Sequence, residues 1–279
     1  MSERFPTPGR QTTLALLGLA LVGLVGGVAA GGHGLLRRQA TGARALIGKP
    51  LGEEALVADR TWKKKYGDRV DLLVLGDSLA AGLGAETART TLGARLARAL
   101  ARSTRRAVRL RTAAVVGSES SDLPAQLDGL PAAYRPHVAV VLVGGNDVTH
   151  RVPVATSVQH LVDAVVALQE RGAEVVVGTC PDLGALTALP QPLRALASRA
   201  SRQLAAAQAR AVAPLGAHVV SLAEGVGPHF LADPEQMFSL DRFHPSSLGY
   251  ERTAKALLPR VLGALEAQNE ASRWTRSPS

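Results

Sequence analysis

From residue 70 onward, continuous apolar runs alternate with segments that repeat apolar residues at helical spacing. The apolar runs predict five strands, at residues 70–75, 107–116, 137–143, 174–179 and 217–222. The segments between and after them predict helices at residues 91–101, 122–130, 154–171, 193–213 and 246–267. Strands that are apolar on both faces are typical of parallel sheets with helices on each side. The pattern therefore predicts a three-layer α/β/α sandwich around a five-stranded parallel sheet.

The N-terminal region has a different pattern. Residues 14–36 are almost wholly apolar and uncharged, which is long enough to cross a bilayer as a helix and shows no amphipathic stripe. We favour a retained transmembrane anchor over a cleaved signal peptide, for which Val28-Ala29-Ala30 offer small residues at the cleavage positions. Basic residues flank both ends, so the orientation is left open. We expect the protein at the cell membrane or in the cell envelope, with its main domain outside the cytoplasm.

These patterns divide the chain into five parts. We predict a short basic segment at residues 1–13, the anchor or signal segment at 14–36, a linker at 37–69, one domain at 70–267 and a disordered tail at 268–279. Residues 62–66 of the linker combine an aromatic pair with three lysines. That composition suits an interfacial membrane segment and equally a solvated linker helix.

Composition and charge narrow the possible partners. Hydrophobic residues make up 46% of the chain and aromatic residues only 3%, so the core must consist mostly of Ala, Val and Leu. A net charge of +9 invites a nucleic-acid interpretation, but the arginines of residues 95–102 alternate with alanine and leucine, without aromatic residues for base stacking. We therefore expect no nucleic-acid partner, and retain either an anionic membrane surface or a plain solvated face.

The cysteine and histidine content argues against a disulfide or a metal site. The chain has one cysteine, Cys180, at the end of an apolar run, which predicts a buried thiol and excludes an internal disulfide. Its seven histidines show no His-x-x-x-His spacing and there is no Cys-x-x-Cys. We therefore expect neither a metal nor another cofactor.

Three short motifs carry the candidate chemistry. Gly76-Asp77-Ser78-Leu79 ends the first predicted strand, Gly144-Gly145-Asn146-Asp147 ends the third, and Asp241-Arg242-Phe243-His244-Pro245 precedes the last helix. Parallel strands end at a common edge of the sheet, so the fold is expected to bring these motifs together. A serine nucleophile, a histidine base and an orienting aspartate are what acyl-transfer chemistry requires, and a side-chain amide can hold the oxyanion.

With these motifs the chain resembles the SGNH (GDSL-type) hydrolases over residues 70–266. The segment 74–79 carries the Gly-Asp-Ser-Leu block, 117–123 is similar to the Gly-x-(Thr/Ser) turn, and Gly-x-Asn-Asp and Asp-x-x-His are both present. The resemblance implies a flavodoxin-like fold, with Ser78 as nucleophile, His244 as base and Asp241 as the acid that orients it. It also implies an oxyanion hole built from the backbone N–H groups of Ser78 and Gly117 and the side chain of Asn146.

The resulting hypothesis is a serine esterase that hydrolyses short- to medium-chain acyl esters. Two alternatives remain open: an O-acyltransferase or O-deacetylase of envelope glycans or lipids, and a non-catalytic envelope-binding module. Residues 181–192 and 223–240 are expected to form a small apolar acyl pocket. Other polar residues near the motifs are expected to have structural or ordinary loop roles; these are Asp77, Asp147, His150, His229 and Asp233.

Overall fold

The computed structural model describes residues 34–42, 51–52 and 54–274, which belong to two units, 1–45 and 46–279. In the first unit, residues 34–42 form helix α1. The predicted anchor at 14–36 lies outside the described residues except for its last three positions, and so does the segment 1–13. Across the described ranges, no helix combines the length and the apolar character that crossing a bilayer requires.

The second unit is built on one mixed sheet. Its described strands have the spatial order β1-β3-β2-β4-β5-β6, with neighbours from β3 to β6 parallel. Their bounds are β1 Thr61–Trp62, β2 Arg69–Gly76, β3 Ala107–Thr112, β4 Val138–Leu142, β5 Glu174–Gly178 and β6 His218–Val220. The five predicted strands are all present, each with slightly different ends.

The prediction of a five-stranded, wholly parallel sheet was wrong at one edge. β1 lies within the predicted linker 37–69 and pairs antiparallel with β3, Thr61 opposite Arg109 and Trp62 opposite Val108. Trp62 is buried beneath the guanidinium of Arg60, which lies 3.8 Å from the ring centroid. A two-residue strand is too short to show an apolar run, so the pattern missed it. Residues 64–66 form a 3-10 turn, not the longer helix considered for this segment.

Helices cover both faces of the sheet. The remaining helices are α2 Ser78–Ala81, α3 Leu92–Thr104, α4 Leu123–Asp128, α5 Gly145–His150, α6 Val154–Glu170, α7 Leu193–Val212, α8 Leu222–Gly225, α9 Gly227–Ala232, α10 Pro234–Met237 and α11 Ser247–Trp274. α3 and α11 pack on one face, whereas α4, α6 and the end of α7 pack on the other. α11 continues beyond the expected end at residue 267, so most of the predicted disordered tail is helical; residues 275–279 lie outside the description.

Alternation along β2 explains why its sequence is apolar throughout. Leu72 and Val74 belong to the core cluster beneath α3 and α11, whereas Leu73 and Leu75 belong to the cluster beneath α4 and α6. All four side chains have no exposed surface. Because successive side chains of a strand point to opposite faces, a central strand between two helical layers needs apolar residues at every position.

The strand register fixes where the turns begin. Gly76 of β2 lies opposite Leu142 of β4, and Leu142 lies opposite Gly178 of β5. The Asp77 N–H then donates to the Leu142 carbonyl at 3.0 Å. The three strands therefore end level with one another, and the segments that follow them leave the sheet side by side.

Candidate active site

Ser78 lies at the first position of α2, directly after a sharp turn from β2. Gly76 has a φ of +127°, and a Cβ there would lie 1.8 Å from the Leu142 carbonyl oxygen, so only glycine fits. Asp77 caps the short helix, because its Oδ1 accepts the Leu79 N–H at 2.9 Å. Ser78 is largely buried, at 8% exposure, and its hydroxyl points toward the last loop of the domain.

The structure brings together the three residues predicted as a triad. Ser78 Oγ lies 2.9 Å from His244 Nε2, and Asp241 Oδ2 lies 2.6 Å from His244 Nδ1. Ser78 and His244 are 166 residues apart in the chain. The arrangement has the order of contacts that lets an imidazole take a proton from a hydroxyl while a carboxylate holds its other nitrogen.

Asp241 is anchored by more than its histidine. Its Oδ1 accepts the N–H groups of Phe243 at 3.0 Å and His244 at 2.9 Å, and the Ser239 hydroxyl at 2.9 Å. Burial alone would raise the pKa of Asp241, but hydrogen bonds from the His244 side chain and from the backbone N–H groups of Phe243 and His244 lower it to about 2. The carboxylate is therefore charged at neutral pH and fixed in orientation.

The loop that carries His244 is closed on itself. Phe238 and Pro245 form an isolated antiparallel bridge, and the Ser239 N–H donates to the His244 carbonyl at 2.8 Å. Arg242, at the tip, has a φ of +55°. The imidazole is thus held by a short ladder that continues directly into α11.

Asn146 occupies the first turn of α5, after β4. Its Nδ2 donates to the Ser118 carbonyl at 2.8 Å, which uses one of the two amide hydrogens. Asn146 lines the same cavity as Ser78 and His244. Its second amide hydrogen therefore remains available to a group bound there.

Gly117 lies next to the hydrogen bond between Asn146 and Ser118 and does not line the cavity. It is exposed, has a φ of +87°, and precedes the Ser118 whose carbonyl Asn146 holds. The described residues that line the cavity include Ser78 and Asn146 but not Gly117. Three of the five predicted site residues, Ser78, Asn146 and His244, thus line one cavity. Asp241 contacts His244 without lining the cavity, and Gly117 lies on the adjoining loop.

The polar residues expected to be structural do hold the loops. Asp147 is buried and accepts the Ser120 hydroxyl at 2.5 Å, while His150 Nδ1 lies 2.6 Å from Glu119 Oε1. With Asn146, these side chains join α5 to three consecutive residues after Gly117. Asp233 caps α10 by accepting the Gln236 N–H at 3.2 Å.

Asp77 has an unusual environment beside Ser78. Burial raises its pKa to about 6, although hydrogen bonds from the N–H groups of Leu79 and Gly145 partly oppose that shift. Through these two N–H groups the carboxyl joins the turn after β2 to the turn after β4. The carboxylate that contacts His244 Nδ1 is that of Asp241, and a structural role for Asp77 stays the prediction.

Gln126 is a residue of the site that the sequence analysis missed. It is 6% exposed and lies on α4, where its Oε1 accepts the Gly76 N–H at 2.9 Å. Its Nε2 donates to the Gly76 carbonyl at 2.8 Å and to Ser118 Oγ at 3.2 Å. Its one sequence signal is a polar residue between Leu123 and Leu127 on a short apolar helix, which is also common on solvated faces.

An apolar cavity of about 100 Å³ opens beside Ser78. The side chains farther from the triad are mainly aliphatic or aromatic; they are Pro181, Leu183, Ala185, Leu186, Leu222, Val226, Phe230 and Phe238. All but Leu222 come from the two segments predicted to form a small apolar pocket, 181–192 and 223–240.

In the part of the chain that the structure describes, there is neither a metal-ligand cluster nor an exposed thiol. Within the described ranges, no group of three or more His, Cys, Asp or Glu side chains is placed to hold a metal ion. Cys180 is 1% exposed, and burial raises the pKa of its thiol well above the ordinary value, as expected for a buried strand-end cysteine.

Comparison with known proteins finds a matching family and a relative. The GDSL-like Lipase/Acylhydrolase family model matches residues 74–252. The GDSL-like esterase Rv1075c of Mycobacterium tuberculosis is 39% identical over 266 residues, which cover 92% of this chain and 85% of that protein.

Solved structures share the fold at lower identity. The lipase Lip_vut3 from a goat rumen metagenome is 19% identical with a TM-score of 0.59, covering 70% of this chain and 99% of its own. The lipase/acylhydrolase from Enterococcus faecalis is also 19% identical, with a TM-score of 0.57 and coverages of 70% and 96%.

Proposed function

The chain belongs to the GDSL-like lipase/acylhydrolase family and is an ester-hydrolysing enzyme, and from that premise we propose a serine mechanism for it. The observation that carries the proposal is the continuous contact from Ser78 through His244 to Asp241. In this mechanism Ser78 is the nucleophile, His244 the general base and Asp241 the group that fixes the imidazole tautomer.

The reaction has two halves. His244 Nε2 accepts the Ser78 proton as Oγ attacks the ester carbonyl, and the charge that develops on the carbonyl oxygen is held by donors around it. His244 then gives that proton to the leaving alcohol as the C–O bond breaks. In the second half His244 takes a proton from water, hydroxide attacks the acyl-enzyme, and the proton returns to Ser78 when the acid departs.

The proposed oxyanion donors are groups of residues beside the cavity. Ser78 and Asn146 both line it, and Ser118 uses one of the two Asn146 amide hydrogens, so the other amide hydrogen and the Ser78 backbone N–H are two of the proposed donors. The Gly117 N–H is the third proposed donor, and its loop is held against Asn146 through Ser118. Donors fixed in advance on helix starts and tied loops need little reorganisation as charge develops.

We further propose that the acyl group enters the apolar cavity. Its volume is about 100 Å³, whereas an apolar cavity of roughly 150 Å³ holds benzene, which has six carbons. Room therefore exists for about four carbons, and we propose short acyl esters as the best substrates, with medium chains accepted at lower rates.

The test uses Ser78→Ala with activated esters of increasing acyl length. The wild type should hydrolyse acetyl and butyryl esters and be labelled by a fluorophosphonate. The variant should lose both properties while keeping its thermal unfolding midpoint within a few degrees. Residual activity above a few per cent would reject Ser78 as the nucleophile. Adding glycan or lipid hydroxyl acceptors to the same assay separates hydrolysis from O-acyl transfer, because transfer yields a new ester.

A location at the membrane or in the envelope is proposed from the apolar run at residues 14–36. The full-length protein should then sediment with membranes and resist extraction with high salt. A variant chain starting at residue 49 should stay in the supernatant. Recovery of the protein in the medium with a new N-terminus at residue 31 would support a cleaved signal peptide instead.

A further inference from the structure

One aromatic residue, Phe238, adjoins both the apolar cavity and a second, larger space. On the far side lies an open groove of about 880 Å³, whose lining includes Leu51, Leu240 and Leu248. Among the described residues, Phe238 is the one that lines both spaces. Its ring packs edge-on against Phe230, with the centroids 4.8 Å apart, and both residues are under 10% exposed.

The two phenylalanines have different surroundings. Behind the ring of Phe230 lies α11, because a Cβ on Gly249 would come within 2.9 Å of Phe230 Cζ. Phe230 lines the cavity only and is backed by protein. Phe238 is backed by the groove. Phe230 therefore has α11 behind its ring, whereas Phe238 adjoins the groove.

The backbone of Phe238 is held independently of its ring. Its N–H donates to the Pro234 carbonyl at 3.1 Å, and the residue forms a bridge with Pro245. These contacts survive truncation of the side chain. Truncation of Phe238 therefore removes the ring from between the two spaces and leaves the loop that carries His244 attached.

We propose that the Phe238 ring is the end wall of the acyl pocket and restricts the enzyme to short acyl chains. This inference rests on the proposed function, since it assigns the cavity to the acyl group. Without the ring, the pocket joins the groove, and methylenes beyond about the fourth carbon extend over Leu240 and Leu248. Each methylene removed from water contributes about a fourfold gain in binding.

The experiment compares kcat/KM for p-nitrophenyl esters from two to twelve acyl carbons in three proteins. The wild type should be fastest at four carbons or fewer and fall steeply beyond six. Phe238→Ala should raise the ratio of the twelve-carbon to the four-carbon ester at least tenfold. Phe230→Ala is the matched control: it removes an equal ring from the closed side, so its preference should lengthen by a few carbons with no gain at twelve.

Two results would contradict the proposal that the Phe238 ring ends the acyl pocket. One is a Phe238→Ala profile that matches the wild type, and the other is an equal gain at twelve carbons in Phe230→Ala. If the alanine variant does not fold, Phe238→Leu provides a second test. Its preference should shift partway toward longer acyl chains, and an unchanged acyl-length profile would contradict the proposal. Labelling by a fluorophosphonate does not depend on the length of the acyl chain, so it tests the serine mechanism separately. If the wild type were not labelled, the serine mechanism would be refuted, and the proposal about the Phe238 ring would not be.

Discussion

The side-chain amide of Gln126 forms hydrogen bonds with both backbone polar groups of Gly76. Oε1 accepts the Gly76 N–H at 2.9 Å, and Nε2 donates to the Gly76 carbonyl at 2.8 Å. The same Nε2 also reaches Ser118 Oγ at 3.2 Å. One buried amide thus joins the turn before Ser78, the proposed nucleophile, to the loop that carries Gly117.

This relationship predicts that Gln126 positions the site. Gln126→Ala should lower kcat by about tenfold or more with little change in KM, because the transition state depends more on donor alignment than substrate binding does. It should also destabilise the fold by about 1–3 kcal/mol, since the Gly76 N–H would be left without its acceptor. Steady-state kinetics and urea unfolding measure the two effects.

A variant that is destabilised far from the site shows whether Gln126 affects kcat by positioning the site or only by stabilising the fold. Leu168, fully buried on α6 beneath the opposite end of the sheet, serves as the control. Leu168→Ala should cost about 2–5 kcal/mol of unfolding free energy and leave kcat near the wild-type value. Equal losses of kcat in both variants would show that Gln126 matters only for stability.

The second prediction concerns the oxyanion. Asn146→Ala should lower kcat by roughly 10²–10³, or about 2.7–4 kcal/mol of transition-state stabilisation, as loss of one oxyanion donor does. KM should change little, because the carbonyl becomes charged only in the transition state. The measurement is saturation kinetics with an acetyl ester.

His150→Gln provides the control for that variant. His150 lies on the same short helix and contacts Glu119 of the loop that Asn146 also holds, but it is exposed and points away from the cavity lining. If Asn146 acts merely by attaching the loop, the two variants should lose comparable activity. If it donates to the oxyanion, His150→Gln should stay within about twofold of the wild type.

The third prediction follows from the low pKa of Asp241. The native carboxyl has a pKa of about 2, so it stays charged to a lower pH than the unfolded carboxyl, whose pKa is 3.8. As the pH falls from about 4 to 2, the unfolded state binds more protons, so the free energy of unfolding decreases. In Asp241→Asn this contribution is absent. Urea unfolding across that window should give a steeper pH dependence for the wild type, and parallel curves would contradict the assignment.

The fourth prediction concerns Asp77, for which stability should change with pH in the opposite direction. Burial raises the pKa of Asp77 to about 6, so the native state keeps a proton that the unfolded chain releases near 3.8. Stability should therefore fall as the pH rises from about 4 to 6, by at most about 3 kcal/mol. Asp77→Asn is neutral throughout, so the wild-type minus variant difference should change in that window. A difference that stays constant from pH 4 to 7 would reject a raised pKa.

The positions of most elements were predictable from local patterns. The central strands β2 and β4 lie between two helical layers, which forces apolar residues at every position and makes the runs visible. Ser78, Asn146 and His244 could be assigned because their motifs adjoin strand ends or the last helix, where the chemistry of parallel sheets is concentrated. Strand β1 was missed because its pairing with β3 depends on a partner more than forty residues away and not on any local period.

What the sequence determined by itself was the alternation of buried strands and helices and the chemical identity of the groups at the strand ends. Only the tertiary structure decided the rest: that Gln126 ties Gly76 to Ser118, that Asp77 lies buried with a raised pKa, and that Phe238 adjoins both the cavity and the neighbouring groove. Periodicity reports which face of an element is buried, because burial is a property of one residue in its own element. Hydrogen bonds, electrostatic shifts and cavity walls depend on pairs of residues from distant segments, so they exist only once the chain has folded.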